Sequence, residues 1–307
     1  MATAGAPHYT FEELGEGIHA AIARRDGQSI CNSGLVDLGE AALVFDTGLT
    51  PDSARYLRFA TERELGRPAS LVANSHWHLD HSLGNQSFSG LPIWGTRRTR
   101  EILLERHDAL TAELTHDALQ VAVRELEAQL EGARSEGART DLEFILHVNR
   151  SLLAASGRSR IAPPDHTFVS RLSLPGSRGA QLVSYGAGHT AADALLSLPH
   201  ERVLFAGDLV VLGVQPSMES GDPDRWLGVL DKIERLDPEQ IVPGHGPVTT
   251  VDGLAEVRGY VSGVLEAAAA SPATPLPAAI RRWEGSLSLD DNLRFARGWV
   301  ASHTRRR

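Results

Sequence analysis

The sequence predicts an α/β fold in which two sheet-forming halves flank a helical middle. Three observations carry that reading. Apolar, β-branched runs closed by glycine alternate with amphipathic patterns in both halves. The texture turns wholly helical over 96–156. Side chains able to hold a metal gather where apolar runs end, which is where the ligand loops of open α/β sheets collect. Each half therefore has the makings of a sheet with helices on its outer face.

Taken in order, SICNSGLVDLG (29–39) and AALVFDTG (41–48) read as strands closed by Gly39 and Gly48. TPDSARYLRFATERELG (50–66) reads as a helix, with Thr50 as N-cap, Pro51 at its first position and Gly66 at its stop. SLVANS and PIWG are short buried strands. Between 96 and 156, Leu103, Leu110, Leu114, Val121, Leu126 and Leu130 recur at helical spacings, SEGART breaks the run, and DLEFILHVNRSLLAAS resumes it. An apolar stripe of this length needs burial, either against Phe144, Ile145 and Val148 or against a second copy of the chain. Strands return as TFVSRLSLPG, QLVSYGAG, ADALLSLP and RVLFAGDLV. DPDRWLGVLDKIERLD is an amphipathic helix, QIVPGHGPV a strand ending in a Gly-Pro turn, and two further helices cover 250–271 and 290–303.

The totals narrow the function. A chain of 307 residues with 42% hydrophobic composition can bury one large core or two modest ones. Its net charge of −9 and lack of a basic arm speak against a nucleic-acid partner. Cys31 is the only cysteine, which excludes an intramolecular disulfide and a cysteine zinc cluster, and it reads as a small buried apolar residue. No apolar run is long enough to cross a bilayer, and the first residues lack a basic start and an apolar core, so a cytoplasmic protein with no membrane partner is expected. The terminal arginines, 305–307, read as a frayed end.

The chemistry concentrates in NSHWHLDHSLGN (74–85). His76 and His78, two apart at a strand end, point the same way, and two neutral imidazoles converging on one point suit Zn²⁺. Asp80 and His81 follow where the chain turns and can face a second point. Both points need further ligands. YGAGHTAAD places His189 in a glycine-flanked turn, LFAGDLV places Asp208 at an apolar strand end, and IVPGHGPV places His245 in another strand-end turn. The remaining histidines, His8, His19, His107, His116, His147, His166, His200 and His303, read as surface or packing residues. Asn85 reads as a residue that holds the segment after the motif.

These motifs resemble those of the metallo-β-lactamase fold superfamily of metallohydrolases. His76, His78, Asp80 and His81 match its HxHxDH motif without a gap. His189, Asp208 and His245 match its remaining ligand motifs in order, and the DTG of VFDTG resembles its first motif. The resemblance spans about residues 17–265 apart from the helical stretch. It implies a four-layer αββα sandwich over 1–307, read as one catalytic domain with 96–156 as a helical insertion. It also implies two Zn²⁺, with iron or manganese as alternatives: His76, His78 and His189 on the first, Asp80, His81 and His245 on the second, and Asp208 bridging. Asp46 would support a ligand histidine, Thr190 and Asp193 would support the site or form its turn, and Asp80 would orient the reacting water or carry its proton. An aspartate at 208 matches the branch holding glyoxalase II-like thioesterases, lactonases and bacterial zinc hydrolases, whereas true β-lactamases have cysteine or serine in that region.

The expected reaction is hydrolysis of a small ester, thioester or lactone by a hydroxide held between the metals. The rivals are an iron-dependent persulfide dioxygenase using the positions of His76, His189 and Asp208, a β-lactamase, a nuclease, and a partner-binding protein without activity. The insertion is expected to form a helical hairpin beside the pocket, narrowing access and offering a surface for a homodimer.

Overall fold

The structure is a computed structural model that describes residues 8–304; 1–7 and the terminal arginines 305–307 lie outside the described residues. The first sheet has seven strands in chain order: β1 (Tyr9–Gly15), β2 (Ile18–Ala23), β3 (Ser33–Asp37), β4 (Ala42–Phe45), β5 (Leu71–Ala73), β6 (Ile93–Thr96) and β7 (His166–Phe168). Its first four strands form an antiparallel meander, and β4 to β7 run parallel. Parallel neighbours need crossovers. These are α1 (Pro51–Leu65), the short turns α2 (Leu79–Ser82) and a 3₁₀ segment (Leu83–Phe88), and then α3 (Arg97–Glu105), α4 (His107–Glu113), α5 (His116–Gly132) and α6 (Glu136–Ala155). The helical stretch is thus the crossover from β6 to β7.

The second sheet has five strands in the order β12-β11-β10-β9-β8. They are β8 (Arg171–Ser173), β9 (Gln181–Gly186), β10 (Asp193–Leu198), β11 (Val203–Val211) and β12 (Gln240–His245). Helix α7 (Pro223–Glu234) crosses from β11 to the parallel β12. Helices α8 (Val251–Ala269), α9 (Ala278–Arg281) and α10 (Leu287–Thr304) complete the described chain.

Three buried clusters define four layers. Between the sheets, Ile18, Val36 and Phe45 of the first meet Leu182, Leu196, Phe205 and Val242 of the second. Outside the first sheet, Leu35, Val44 and Val72 pack with Ala54, Leu57 and Ala60 of α1. Outside the second, Leu195, Leu204 and Ala206 pack with Trp226 and Leu230 of α7, Val257 and Val261 of α8, and Leu293 of α10. This is the αββα sandwich expected from the sequence. Thr50 caps α1, its hydroxyl accepting from Ser53 N, and Gly66 ends it at φ 67°.

Several elements differ from the sequence reading. The meander opens with β1 and β2, which that reading did not assign. TFVSRLSLPG is two strands rather than one: β7 belongs to the first sheet and β8 to the second. The break expected at SEGART falls just before it: α5 ends at Gly132, Ser135 caps the next helix, and the rest of SEGART opens α6 at Glu136. The leucine stripe spans α3, α4 and α5 rather than one long helix. Leu103, Leu110 and Leu114 are buried, while Val121 is exposed. In α6 the buried residues include Leu142 and Leu146, while Phe144 and Ile145 stay partly open.

The two sheets pack tightly at Gly34, where an added Cβ would lie 2.7 Å from the Phe205 ring. Gly34→Ala should therefore overpack the core and cost about 1–3 kcal/mol in denaturant unfolding. Adding Phe205→Leu should recover part of that loss. Equal stability of Gly34→Ala and wild type would contradict this packing.

Candidate metal centre

The C-terminal ends of β4, β5, β9 and β12 and a distortion in β11 meet at one edge of the sandwich. Past β5, the chain delivers His76 and His78, and Asp80 and His81 sit in the single turn of α2. Past β9 comes His189, and β12 ends on His245. Asp208 lies inside β11, not at its end as the sequence suggested. The pairing of β11 with β12 slips on either side of Gly207, and such a slip re-aims the side chain beside it. Gly207 has φ 52°, and an added Cβ there would lie 2.5 Å from that of Ser75. At Gly244 an added Cβ would collide with Asp208 Oδ1. The glycine before His245 leaves room for the carboxylate.

The structure brings the seven expected ligand residues into two adjoining groups. The ligand atoms of His76, His78, His189 and Asp208 lie within 4.8 Å of one another, as do those of Asp80, His81 and His245. Asp208 faces both groups. Its Oδ2 is 3.3 Å from His189 Nε2 and 3.8 Å from His76 Nε2. Its Oδ1 is 3.1 Å from His81 Nε2 and 3.4 Å from His245 Nε2. Asp80 Oδ2 is 3.2 Å from His245 Nε2.

The surrounding hydrogen bonds fix which ring nitrogen faces inward. Asp46 holds two neighbours: Oδ1 accepts from Ser75 N at 2.7 Å, and Oδ2 accepts from Ser75 Oγ at 2.7 Å and from His81 Nδ1 at 2.8 Å. Ser75 has a single hydroxyl proton, given to Asp46, so its Oγ accepts from His76 Nδ1 at 2.9 Å. His245 Nδ1 donates to Ile30 O at 2.8 Å. In these three rings the outer nitrogen is engaged and Nε2 is left for the cluster; His189 also turns Nε2 inward, but its Nδ1 is buried without a hydrogen-bond partner. His78 is reversed: Nε2 meets Ser220 Oγ at 3.0 Å, and Nδ1 stands 3.1 Å from His189 Nε2. Asp46 takes φ 59°, uncommon outside glycine.

Thr190 donates through N and Oγ1 to Asp193 and shapes the turn that carries His189. Asn85 bonds Thr47, Asn74 and Ala162 O, and so braces the segment after the motif. Asn32 clamps the His245 turn, its side-chain NH₂ donating to Pro243 O at 2.9 Å and Gly246 O at 2.8 Å. Burial pushes the Cys31 thiol up, so it stays protonated and donates to Asp80 O at 2.8 Å. Sequence reasoning missed Ser75, Asn32 and Ser220. Ser75 sits inside the motif and was findable there; the other two lie in loops without a pattern.

The donor set fits metal. His76 Nε2, His81 Nε2 and Asp208 Oδ1 are buried with no hydrogen-bond partner, and an unmet buried polar atom costs about 1–3 kcal/mol. Imidazole and carboxylate are ligands for zinc and for iron or manganese. The two groups differ in charge. Burial, then the neighbouring histidines, holds His76 well below the usual range and His78 down at about 3, so both are neutral. For His81 and His245, burial acts downward but Asp208 and Asp80 overcome it, raising His81 well above its usual value and His245 to about 10. Burial alone would raise the two carboxylates, yet the histidines, His81 foremost for Asp80 and His245 for Asp208, hold both well below the usual range.

The metallo-beta-lactamase superfamily model matches residues 26–245. With that match, this fold and this cluster, the chain belongs to the metallo-beta-lactamase superfamily. Among solved structures, a metallo-beta-lactamase from Pontibacter korlensis is 19% identical, with a TM-score of 0.57 over 83% of this chain and 99% of its own. FIM-1 from Pseudomonas aeruginosa, in its mono-zinc form, is 14% identical, with a TM-score of 0.57 over 83% of this chain and 95% of its own. At these identities the likeness is one of fold. A linear primary-alkylsulfatase from Pseudomonas sp. (strain ATCC 19151) is 23% identical over 233 residues, 73% of this chain. The match covers 43% of that relative, so the chain spans less than half its length. No helix among the described residues is long and apolar enough to cross a membrane.

Two outcomes follow. Asp46→Asn should keep the fold and lower metal affinity roughly 10–100-fold in a chelator competition; unchanged affinity would leave Asp46 a purely structural residue. His81 and His245 hold protons below their raised pKa values, and metal takes only the deprotonated nitrogen. Affinity at their position should therefore rise with pH, and zinc added at pH 8 to metal-free protein should release at least about two protons per chain, read by a pH indicator. No proton release would contradict the charge assignment.

Proposed function

We propose that this protein is a dinuclear metallohydrolase acting on a small ester, thioester or lactone. The observation that carries the reading is Asp208: each of its oxygens faces one of two adjoining ligand groups. His76, His78 and His189 would hold one metal, Asp80, His81 and His245 the other, and Asp208 both. Zinc is the first expectation from the imidazole-rich donors. Bound there, two divalent cations would make hydroxide available at neutral pH and polarise the scissile carbonyl.

The chain's own residues supply the rest. Asp46 and Ser75 hold His81 and His76 with Nε2 inward, and Ser220 holds His78. Asp80 stands in the second group and also lines the cavity over the cluster, where it would orient the attacking water and receive its proton. Val211, Val214 and Trp283 line the same cavity and thin the water around the reacting bond. The second reading, hydrolysis of a sulfate ester, takes its support from the alkylsulfatase relative. Among the described residues that line the cavity there is no lysine or arginine to share the sulfate charge, which favours the acyl substrate.

Purified protein should contain about two transition-metal ions per chain by elemental analysis, and chelation should abolish esterase activity. Asp208→Ala should lower occupancy of both positions, whereas His78→Ala should deplete the first. Protein free of transition metal under every growth condition would overturn the reading. Faster cleavage of hexyl sulfate than of acyl esters would select the sulfatase.

A further inference from the structure

We propose that the cavity over the cluster binds an uncharged apolar group of the substrate, recognised by Phe144, Ile145 and Trp283, and turns away substrates bearing a negative charge remote from the scissile bond. This rests on the hydrolase reading and names its substrate class.

The first observation is an uneconomical surface. Phe144 is 38% and Ile145 37% exposed, while Leu142 and Leu146 on the same helix are 3% and 4% exposed. Residues three and four apart share a helix face. Thr140, Asp141, Phe144 and Ile145 line the cavity, and Leu142 and Leu146 turn inward. One face of α6 therefore packs and the next overlooks the cluster. The floor of the same cavity is made by His78, Asp80, His189, Asp208 and His245. An apolar wall facing reactive polar groups is the common form of a small-molecule site. The volume, about 240 Å³, sits just under the roughly 300–1,000 Å³ of drug-sized pockets, so the group accommodated is small.

The second observation is anchorage. Asp141 Oδ2 accepts from Ser286 Oγ at 2.8 Å and Ser288 N at 2.9 Å. Gln215 Nε2 donates to Ser286 Oγ at 2.5 Å, and Ser135 Oγ donates to Gly285 O at 2.6 Å. These bonds tie α6 to the start of α10 and, through Ser286, to the loop after β11, so the wall is held in place.

The third is charge. Asp80 and Asp208 in the lining are balanced by the histidines of the cluster; away from it, Asp141 is the one charged residue among the described lining, with no lysine or arginine beside it. A carboxylate, phosphate or sulfate remote from the reacting bond would lose its water beside Asp141 without a counter-charge. A neutral alkyl or aryl group meets no such cost and gains from covering Phe144 and Ile145.

The test compares para-nitrophenyl acetate, butyrate and hexanoate with mono-para-nitrophenyl adipate, a hexanoate with a terminal carboxylate. In the metal-loaded enzyme kcat/KM should rise at least about tenfold from acetate to hexanoate and fall at least about tenfold from hexanoate to the adipate monoester. Phe144→Ala with Ile145→Ala should bring the hexanoate-to-acetate ratio towards one, and Phe144→Trp should shorten the preferred chain. Independently of turnover, calorimetry with N-hexylacetamide and metal-free protein should show binding that weakens about tenfold in the double variant. If no ester is cleaved yet amide binding depends on Phe144 and Ile145, the hydrolase reading fails and the apolar site stands. Ester cleavage without chain-length preference, with amide binding indifferent to both substitutions, overturns the apolar site. Equal rates for hexanoate and the adipate monoester overturn the exclusion of charge.

Discussion

The structure turns on the burial of two carboxylates in one place. Asp208 has 8% and Asp80 17% of its side chain exposed, and their oxygens share histidine neighbours. Removing an ionised carboxylate from water costs several kcal/mol unless positive charge stands beside it. Around Asp208 that charge comes from His81 and His245, and when metal is bound it would come from the cations. Much of the local backbone serves this arrangement. Gly244 leaves the space that Asp208 Oδ1 occupies, Gly207 lets β11 distort, and Asp46 adopts a left-handed conformation that brings its oxygens onto Ser75 and His81.

Each sheet supplies part of the cluster. The first brings Asp46 and the segment from Ser75 to His81; the second brings His189, Asp208 and His245. Their alignment depends on backbone ties across the join. Ser75 O accepts from Ala194 N at 2.7 Å, and Gly244 O accepts from Asn32 N at 2.7 Å. The interleaved core behind these ties, with Phe45 and Phe205 rings 6.2 Å apart, fixes the spacing of the sheets and hence of the two ligand groups. Close packing makes that spacing hard to alter by small steps.

The layered fold and the ligand set were legible because their signals are local. Glycine-bounded apolar runs mark strands, and histidines at strand ends mark the site. What escaped was non-local. In β1, only Tyr9 and Leu14 of the apolar residues are buried, and β2 is rich in alanine, so neither shows a strong strand pattern. TFVSRLSLPG reads as one strand, since nothing in it says that the chain changes sheets near Ser170. Phe144 and Ile145 looked like partners for the leucine stripe because helical spacing gives a face but not what it faces. Ser220 reaches His78 across 142 residues of chain, a contact set by tertiary packing alone. Trp77, between two histidines of the motif, turns the opposite way and packs with Ile102, Leu103 and Leu110, with the Arg106 guanidinium 4.5 Å from its ring.

The Asn32 clamp bears on the order in which the molecule can be completed. Its acceptors, Pro243 O and Gly246 O, lie 211 and 214 residues further along the chain. The group of Asp80, His81 and His245 likewise joins distant parts of the chain. During synthesis the N-terminal sheet emerges first and can pair its strands while the distant turn does not yet exist. HxHxDH therefore leaves the ribosome as an open half-site, with His76 and His78 present and the second group short of a member. Only when β12 has been made and docked beside β11 can the site close. Closing so long a loop is entropically costly, so late contacts, whether the amide of Asn32 or a captured cation, act as fasteners that hold it shut.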